Sequence, residues 1–165
     1  MKFLFQYLLL CITLISCSKS DTINGNKFIN FNDEEVILDV SDHKLSVFYF
    51  LAPECPLSQN YSKSINELSL KFEKEDVKFY AVFSGLTYSE EEMKSYLEDY
   101  EIKIEGIKDK DYILAKYFKA TITPEVFLIN DNENILYSGK IDNWIESLGV
   151  KRQVVTEYFL KDAIQ

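Results

Sequence analysis

The stretch SVFYFLAPECPLSQNY, residues 46–61, decides the fold. Its first six residues, Ser46 to Leu51, are dominated by aromatic and branched side chains and carry no charge, the pattern of a strand buried on both faces. They run into Ala52-Pro53-Glu54-Cys55-Pro56, where the proline has no N–H to leave unpaired and a φ preset for the first helical position. Beyond it Tyr61, Ile65, Leu68 and Phe72 recur at spacings of four, three and four, which predicts an amphipathic helix from about Pro56 to Glu73. A buried strand, a short loop holding a cysteine and a long helix together open an α/β layer fold.

Working outward, apolar runs alternate with amphipathic ones from Phe28 to the end of the chain, so one domain is expected over residues 28–165. Upstream, Val36 to Val40 reads as a short strand and His43-Lys44 as part of a turn. Downstream, Val77 to Ser84 is the next strand, stopped by Gly85. Ser89 then stands where an N-cap should, with Glu90, Glu91 and Glu92 at the positive end of the helix dipole and Met93, Tyr96, Leu97 and Tyr100 as the buried face. A short helix is expected around Asp111 to Phe118 and a strand over Glu125 to Asn130. Asp131 to Asn134 is the turn to a hairpin partner, Ile135 to Ile141, with which the sheet ends. Val154, Val155, Tyr158, Phe159 and Ile164 mark a C-terminal helix opened by Lys151-Arg152.

Composition supports one folded domain and excludes several classes of function. The chain has 165 residues, 47% hydrophobic and 15% aromatic, with 5 Gly and 3 Pro, so it can bury a core and is neither disordered nor collagen-like. Eighteen Lys and Arg face 27 Asp and Glu, a net charge of -9; with no dense basic stretch to neutralise phosphates, nucleic acid is not an expected partner. Three cysteines and the single histidine, His43, do not make a zinc-closing cluster, and no metal or other cofactor is expected.

The N-terminus reads as an address. Residues 1–17, MKFLFQYLLLCITLISC, carry one charge at Lys2, an apolar stretch from Phe3 to Ile15 and a small residue before Cys17, the parts of a secretory signal too short to span a bilayer. Leu14-Ile15-Ser16-Cys17 looks like a bacterial lipobox, so residues 1–16 are expected to be removed and Cys17 to carry lipid. Residues 17–27 are then a flexible tether, since Ser18 to Asn26 is polar, and the protein sits in the cell envelope on its lipid, facing the periplasm. Loss of Lys2 leaves 17 basic against 27 acidic residues, a charge of -10, which disfavours adhesion to anionic headgroups. Cys11 leaves with the signal and Cys17 is consumed, so Cys55 is the one free thiol.

A thiol in the first turn of a helix lies among unpaired N–H groups at the positive end of the dipole, and both favour thiolate. Glu54 next to it opposes that shift. The plain alternative for Cys55 is a small buried hydrophobe.

The order of elements, with FLAPECPLSQNY (50–61), TPEVFLI (123–129) and GKIDNW (139–144), resembles the thioredoxin-like superfamily and within it the redoxin group, related to alkyl hydroperoxide reductase and thiol-specific antioxidant proteins. The resemblance spans residues 28 to 164. It implies a three-layer fold with a central mixed sheet flanked by helices, Cys55 as the nucleophile, and a cis Thr123–Pro124 bond that holds the Thr123 backbone beside Cys55 for a substrate chain to pair with. The chain also departs from the family's patterns. The second cysteine of the dithiol motif is replaced by Ser58. The proline and threonine that precede a peroxidatic cysteine are Phe48 and Ala52 here, and the chain's one arginine is the distant Arg152. Copper-delivery relatives carry a second cysteine where this chain has Gln59.

A lone thiol can form a mixed disulfide with a partner, or be oxidised and then trapped, but each step needs a second molecule. The expected function is therefore a membrane-tethered monothiol redox protein. Cys55, Pro56 and Ser58 form its reactive loop, Ser58 donating a hydrogen bond to the thiolate, and Thr123 and Pro124 form its docking segment. Its partners are protein thiols or disulfides, or an external thiol reductant. Two other readings stay open at this point: a binding or accessory module on the same fold, and a weak thiol-dependent peroxidase. Asp142 and Trp144 are candidates for the groove near the proline loop, against the plainer reading of a hairpin end with an exposed aromatic, and Asp142 is a candidate partner for Arg152.

Overall fold

The computed structural model describes residues 22–147 and 149–165; the signal segment, Cys17 and Ser18 to Asp21 lie outside them. In chain order the elements are β1 (Lys27–Ile29), β2 (Glu35–Ile37), a 3-10 turn (Val40–Asp42), β3 (Leu45–Phe50), α1 (Pro56–Lys71), β4 (Val77–Ser84), α2 (Glu90–Asp99), β5 (Glu105–Asp109) and α3 (Ile113–Phe118). They continue with β6 (Glu125–Asn130), β7 (Ile135–Gly139), β8 (Ile145–Ser147), β9 (Val150–Lys151) and α4 (Phe159–Ile164).

All six residues of β3 are buried, as a strand apolar on both faces requires. Seven strands form one mixed sheet in the order β2-β1-β5-β4-β3-β6-β7. β3, β4 and β5 run parallel, joined by helical crossovers through α1 and α2, while β6 is antiparallel to β3 and forms a hairpin with β7. Val47 and Tyr49 of β3 face one core with Tyr61 and Ile65 of α1, Met93 and Tyr96 of α2, and Leu160 of α4. Phe48 and Phe50 face the other, with Leu114 and Phe118 of α3 and Ile23, Leu38 and Val40 from the N-terminal segment. Helices thus cover both faces of a mixed sheet, giving the three layers expected.

The local signals hold where they rest on caps and periodicity. Cys55 is the N-cap of α1 and Pro56 its first residue. Ser89 caps α2 through a reciprocal bond with Glu92, a full capping box.

The sequence reading did not place β1, and the strand expected over Val36 to Val40 is β2 at Glu35–Ile37, with Val40 in the 3-10 turn; three further features differ. The charge-bearing β5 was not anticipated, because Lys108 and Asp109 break the apolar pattern; both are buried, Lys108 because Asp33 and Glu90 pair with it at 3.1 and 3.0 Å. The polar segment before residue 28 is not all tether: Ile23 is fully buried, Gly25 and Asn26 exchange backbone bonds with Leu38, and the Glu133 carboxylate accepts from the Ile23 and Asn24 N–H groups. The packed domain therefore includes Thr22 to Lys27.

The C-terminal helix is shorter than expected. Lys151 belongs to the β8–β9 hairpin, and the Asn143 side chain accepts from the Thr156 and Glu157 N–H groups, holding that stretch as an extended connection until α4 begins at Phe159. Arg152, outside any helix, pairs with Glu146 at 3.4 Å and not with Asp142.

Candidate functional site

The pairing of Phe50 with Glu125 aligns the exit of β3 with the start of β6, so the loop holding Cys55 meets the loop holding Thr123. The Thr123–Pro124 bond is cis, and the Cys55 thiol donates to the Thr123 carbonyl oxygen at 3.2 Å. Cys55 is partly exposed, which leaves the sulfur open to a reactant. Its backbone N–H donates to Ala52, and its carbonyl accepts the Gln59 N–H as α1 begins.

Ser58 is fully buried beneath this turn. Its hydroxyl oxygen accepts the Ala52 N–H at 3.3 Å, which leaves the hydroxyl proton available for the sulfur, and its carbonyl accepts the Tyr96 hydroxyl at 2.9 Å. Burial pushes the Cys55 thiol up, but the N–H and hydroxyl groups of Ser58, the Thr123 side chain and the Leu57 N–H near the sulfur favour the charged form by more and hold the thiol below its ordinary range. Glu54 is exposed and lines a separate cleft toward α2 with Glu91, Glu92 and Asp99.

A cleft of about 300 Å³ lies on the other side of the thiol's loop, with Phe50, Ala52, Tyr88, Tyr112, Ile122 and Thr123 in its walls. Its walls mix apolar side chains with hydroxyl groups, among them Ser84, Thr87 and Thr121, and exposed apolar residues stand at and near its edge: Ile122 is 63% exposed, and Leu86, which follows the Gly85 turn, 76%. Gly85 has φ +84°, and a Cβ there would fall 2.1 Å from the Tyr112 hydroxyl, so the Tyr112 ring lies in the space its missing side chain leaves. Tyr88 and Tyr112 were not singled out by sequence; the Gly85 strand stop was the visible sign of this close approach.

The structure thus brings Cys55, Pro56, Ser58, Thr123 and Pro124 together. Asp142 and Trp144 it puts elsewhere, on the flank of α1. The Asp142 carboxylate accepts the Tyr61 hydroxyl and the Trp144 N–H, both at 2.8 Å, while the Trp144 ring meets Tyr61 edge-on and has the Lys151 ammonium over its face. His43 pairs with Asp76 at the opposite end of the sheet. Among the described residues no group of three or more His, Cys, Asp or Glu is placed to hold a metal ion, and no helix is long and apolar enough to cross a membrane.

A mixed sheet with helices on both faces, a cysteine at the N-cap position of the first long helix and a cis proline opposite it define a thioredoxin-like redoxin. Residues 24–138 match the AhpC/TSA family, and the chain belongs to that family. No curated protein matches it by sequence. Among solved structures it is similar to an uncharacterised conserved protein of Geobacillus kaustophilus, at 22% identity and TM-score 0.68 over 79% of this chain and 74% of that one. It is also similar to a thiol-disulfide oxidoreductase of Bacteroides fragilis, at 12% identity and TM-score 0.64 over 74% and 92% of the two chains. A secreted disulfide oxidoreductase of Mycobacterium tuberculosis matches at 14% identity and TM-score 0.59 over 67% and 80%. At these identities the likeness is one of fold.

Proposed function

We propose that this protein is a monothiol redox protein of the bacterial cell envelope, tethered by lipid on Cys17, that forms mixed disulfides with partner proteins through Cys55. The observation that carries the reading is the thiol at the N-cap of α1, 3.2 Å from the Thr123 carbonyl, with an open cleft walled in part by Ala52 and Thr123 next to it. The Cys55 thiolate attacks one sulfur of a partner disulfide; a bond forms between Cys55 and that sulfur, and the other sulfur leaves as thiolate with the electron pair. An external thiolate then attacks the mixed disulfide at the partner's sulfur and releases the Cys55 thiolate. The external thiol supplies the reducing equivalents, as Ser58 cannot act as a resolving thiol.

The carbonyl of Thr123 faces the sulfur, and an extended substrate chain passing Cys55 could pair with this backbone while its side chains enter the cleft. Exchange is favoured over peroxidase chemistry by the surroundings of the sulfur: Arg152 is engaged with Glu146 on the β8–β9 hairpin, and the residue at the start of the reactive loop is the methyl-bearing Ala52. The test is disulfide exchange by the domain from residue 18 onward with a model disulfide peptide and a thiol reductant. A Cys55→Ser variant that exchanges as fast as the parent would overturn the reading.

A further inference from the structure

We propose that the lipid tether holds the pole opposite Cys55 toward the bilayer, so that the reactive thiol meets disulfides of proteins in the aqueous phase. The inference rests on the reading of Cys17 as the lipid site.

The tether leaves the fold at the far end of the strand that faces the thiol. Thr123, whose carbonyl meets Cys55, precedes β6, and the turn that follows β6 carries Glu133. Glu133 receives the start of the packed chain: its carboxylate accepts the Thr22 hydroxyl and the Ile23 and Asn24 N–H groups, and its carbonyl accepts the Tyr117 hydroxyl at 2.9 Å. The register repeats the polarity, since Phe50 at the thiol end of β3 faces Glu125, and Leu45 at the other end faces Asn130. Thr123 and Asn130 are seven residues apart, roughly 20 Å at the rise of a strand.

From Cys17 to Thr22 the chain has five links, which at full extension reach about 18 Å. Turning Cys55 to the bilayer would require the tether to run back along the whole height of the domain, a path longer than it can cover. Charge reinforces the restriction. The lipidated chain would have 17 basic and 27 acidic residues, so an anionic surface repels the body while the tether retains one pole. A repelled body on a short tether stands with its attached end nearest the surface. Asp39, Asp42, Asp76, Asp131 and Glu133 are at or near that end among lysines such as Lys44, Lys71 and Lys74, so the pole carries no excess of positive charge to lay it flat on the lipid.

The experiment is energy transfer to headgroup-labelled lipid from the full-length lipoprotein in vesicles of phosphatidylethanolamine and phosphatidylglycerol. The donor is placed on Cys55 or, in a Cys55→Ser background, on Asp131→Cys in the exposed β6–β7 turn. Transfer from position 131 should exceed that from position 55 about twofold or more, and an insertion of about 20 Gly/Ser residues after Ser18 should shrink the difference. Equal or stronger transfer from position 55 overturns the proposal, as does a mature chain that does not float with the vesicles. Failure of the redox reading is seen separately, as absent disulfide exchange, and leaves the transfer ratio unchanged.

Discussion

The sulfur of Cys55 and the carbonyl oxygen of Thr123 stand 3.2 Å apart across the gap between the N-cap of α1 and the cis-proline loop. The carbonyl can accept the proton of the thiol but offers nothing to the thiolate. Stabilisation of the charged form therefore comes from the other side, from Leu57 and Ser58 at the start of the helix, and from the Thr123 side chain.

Alkylation of Cys55 should accordingly show an apparent pKa below the ~8.5 of a free thiol. Ser58→Ala should raise that midpoint, because it removes a hydroxyl that favours the thiolate, and should cost about 1 kcal/mol because the buried Ala52 N–H loses its acceptor. A depressed folded pKa means that the unfolded chain binds the extra proton between the two pKa values, so stability rises with pH through that window and falls as pH drops through the folded value. Cys55→Ser should flatten this rise. Iodoacetamide kinetics and urea unfolding at a series of pH values check both statements.

Ser58 occupies the position, three residues on, from which a second thiol could reach the first. Ser58→Cys should therefore form an internal disulfide with Cys55 under mild oxidation and shorten the life of mixed disulfides formed by Cys55, since the new thiolate attacks intramolecularly. Gel-shift counting of free thiols and the decay of a trapped mixed disulfide measure the two effects. A Ser58→Cys protein that keeps two free thiols would show that the buried position cannot approach the sulfur of Cys55.

Much of this was legible in sequence because its signals are local. Residues 46–61 carry a buried strand, a proline-started helix and its N-cap cysteine within one stretch, and Ser89 and Glu92 specify the capping box three residues apart. β5 was hidden because its charges are satisfied by residues distant in sequence, Asp33 for Lys108 and Ser84 for Asp109. Asn143 likewise suppresses the start of the C-terminal helix from 13 and 14 residues away. At the site, Cys55, Ser58 and Thr123-Pro124 were readable from the loop motifs, whereas the walls of the cleft were not. Tyr112 enters it only because Gly85, on a different element, leaves room.

That dependence makes Gly85→Ala a test of the cleft. At φ +84° an added Cβ is strained and would overlap the Tyr112 hydroxyl. Tyr112 must move, and we expect a loss of roughly 1–2 kcal/mol together with weaker capture of disulfide peptides that enter the cleft. Tyr112→Ala should share the binding defect without the backbone strain. Measuring peptide exchange beside thermal unfolding in the two variants separates cleft from fold.

Asp109 links the end of β5 to the start of α3. Its carboxylate accepts the Leu114 and Ala115 N–H groups at 3.2 and 3.0 Å and the Ser84 hydroxyl at 2.9 Å, and it is almost wholly buried. Burial holds its carboxyl above the ordinary carboxylate range despite those bonds. The folded state then binds the extra proton between the unfolded and folded pKa values, so this group makes stability fall as pH rises through that acidic window. Asp109→Ala should cost roughly 2–3 kcal/mol by orphaning buried donors, and Asp109→Asn less. Asp109→Asn should also remove the acidic-window slope, read by chemical denaturation between the two pKa values.

Tyr61 and Asp142 give the converse case, a buried polar pair beside the active helix that does not reach the thiol. The Tyr61 hydroxyl donates to the Asp142 carboxylate at 2.8 Å, and the same oxygen takes the Trp144 N–H, so the carboxylate fastens the segment after β7 to the side of α1. Tyr61→Phe removes one hydrogen bond from a buried acceptor that keeps another, for an expected cost of about 1 kcal/mol. Because this contact lies on the flank of α1 and the sulfur is held at its N-cap, the pH profile of Cys55 alkylation should not move. Asp142→Asn should behave likewise, since its amide oxygen can still accept from Trp144. A shifted alkylation midpoint in either variant would place the pair in the thiol's electrostatic environment and return Asp142 to the reactive site.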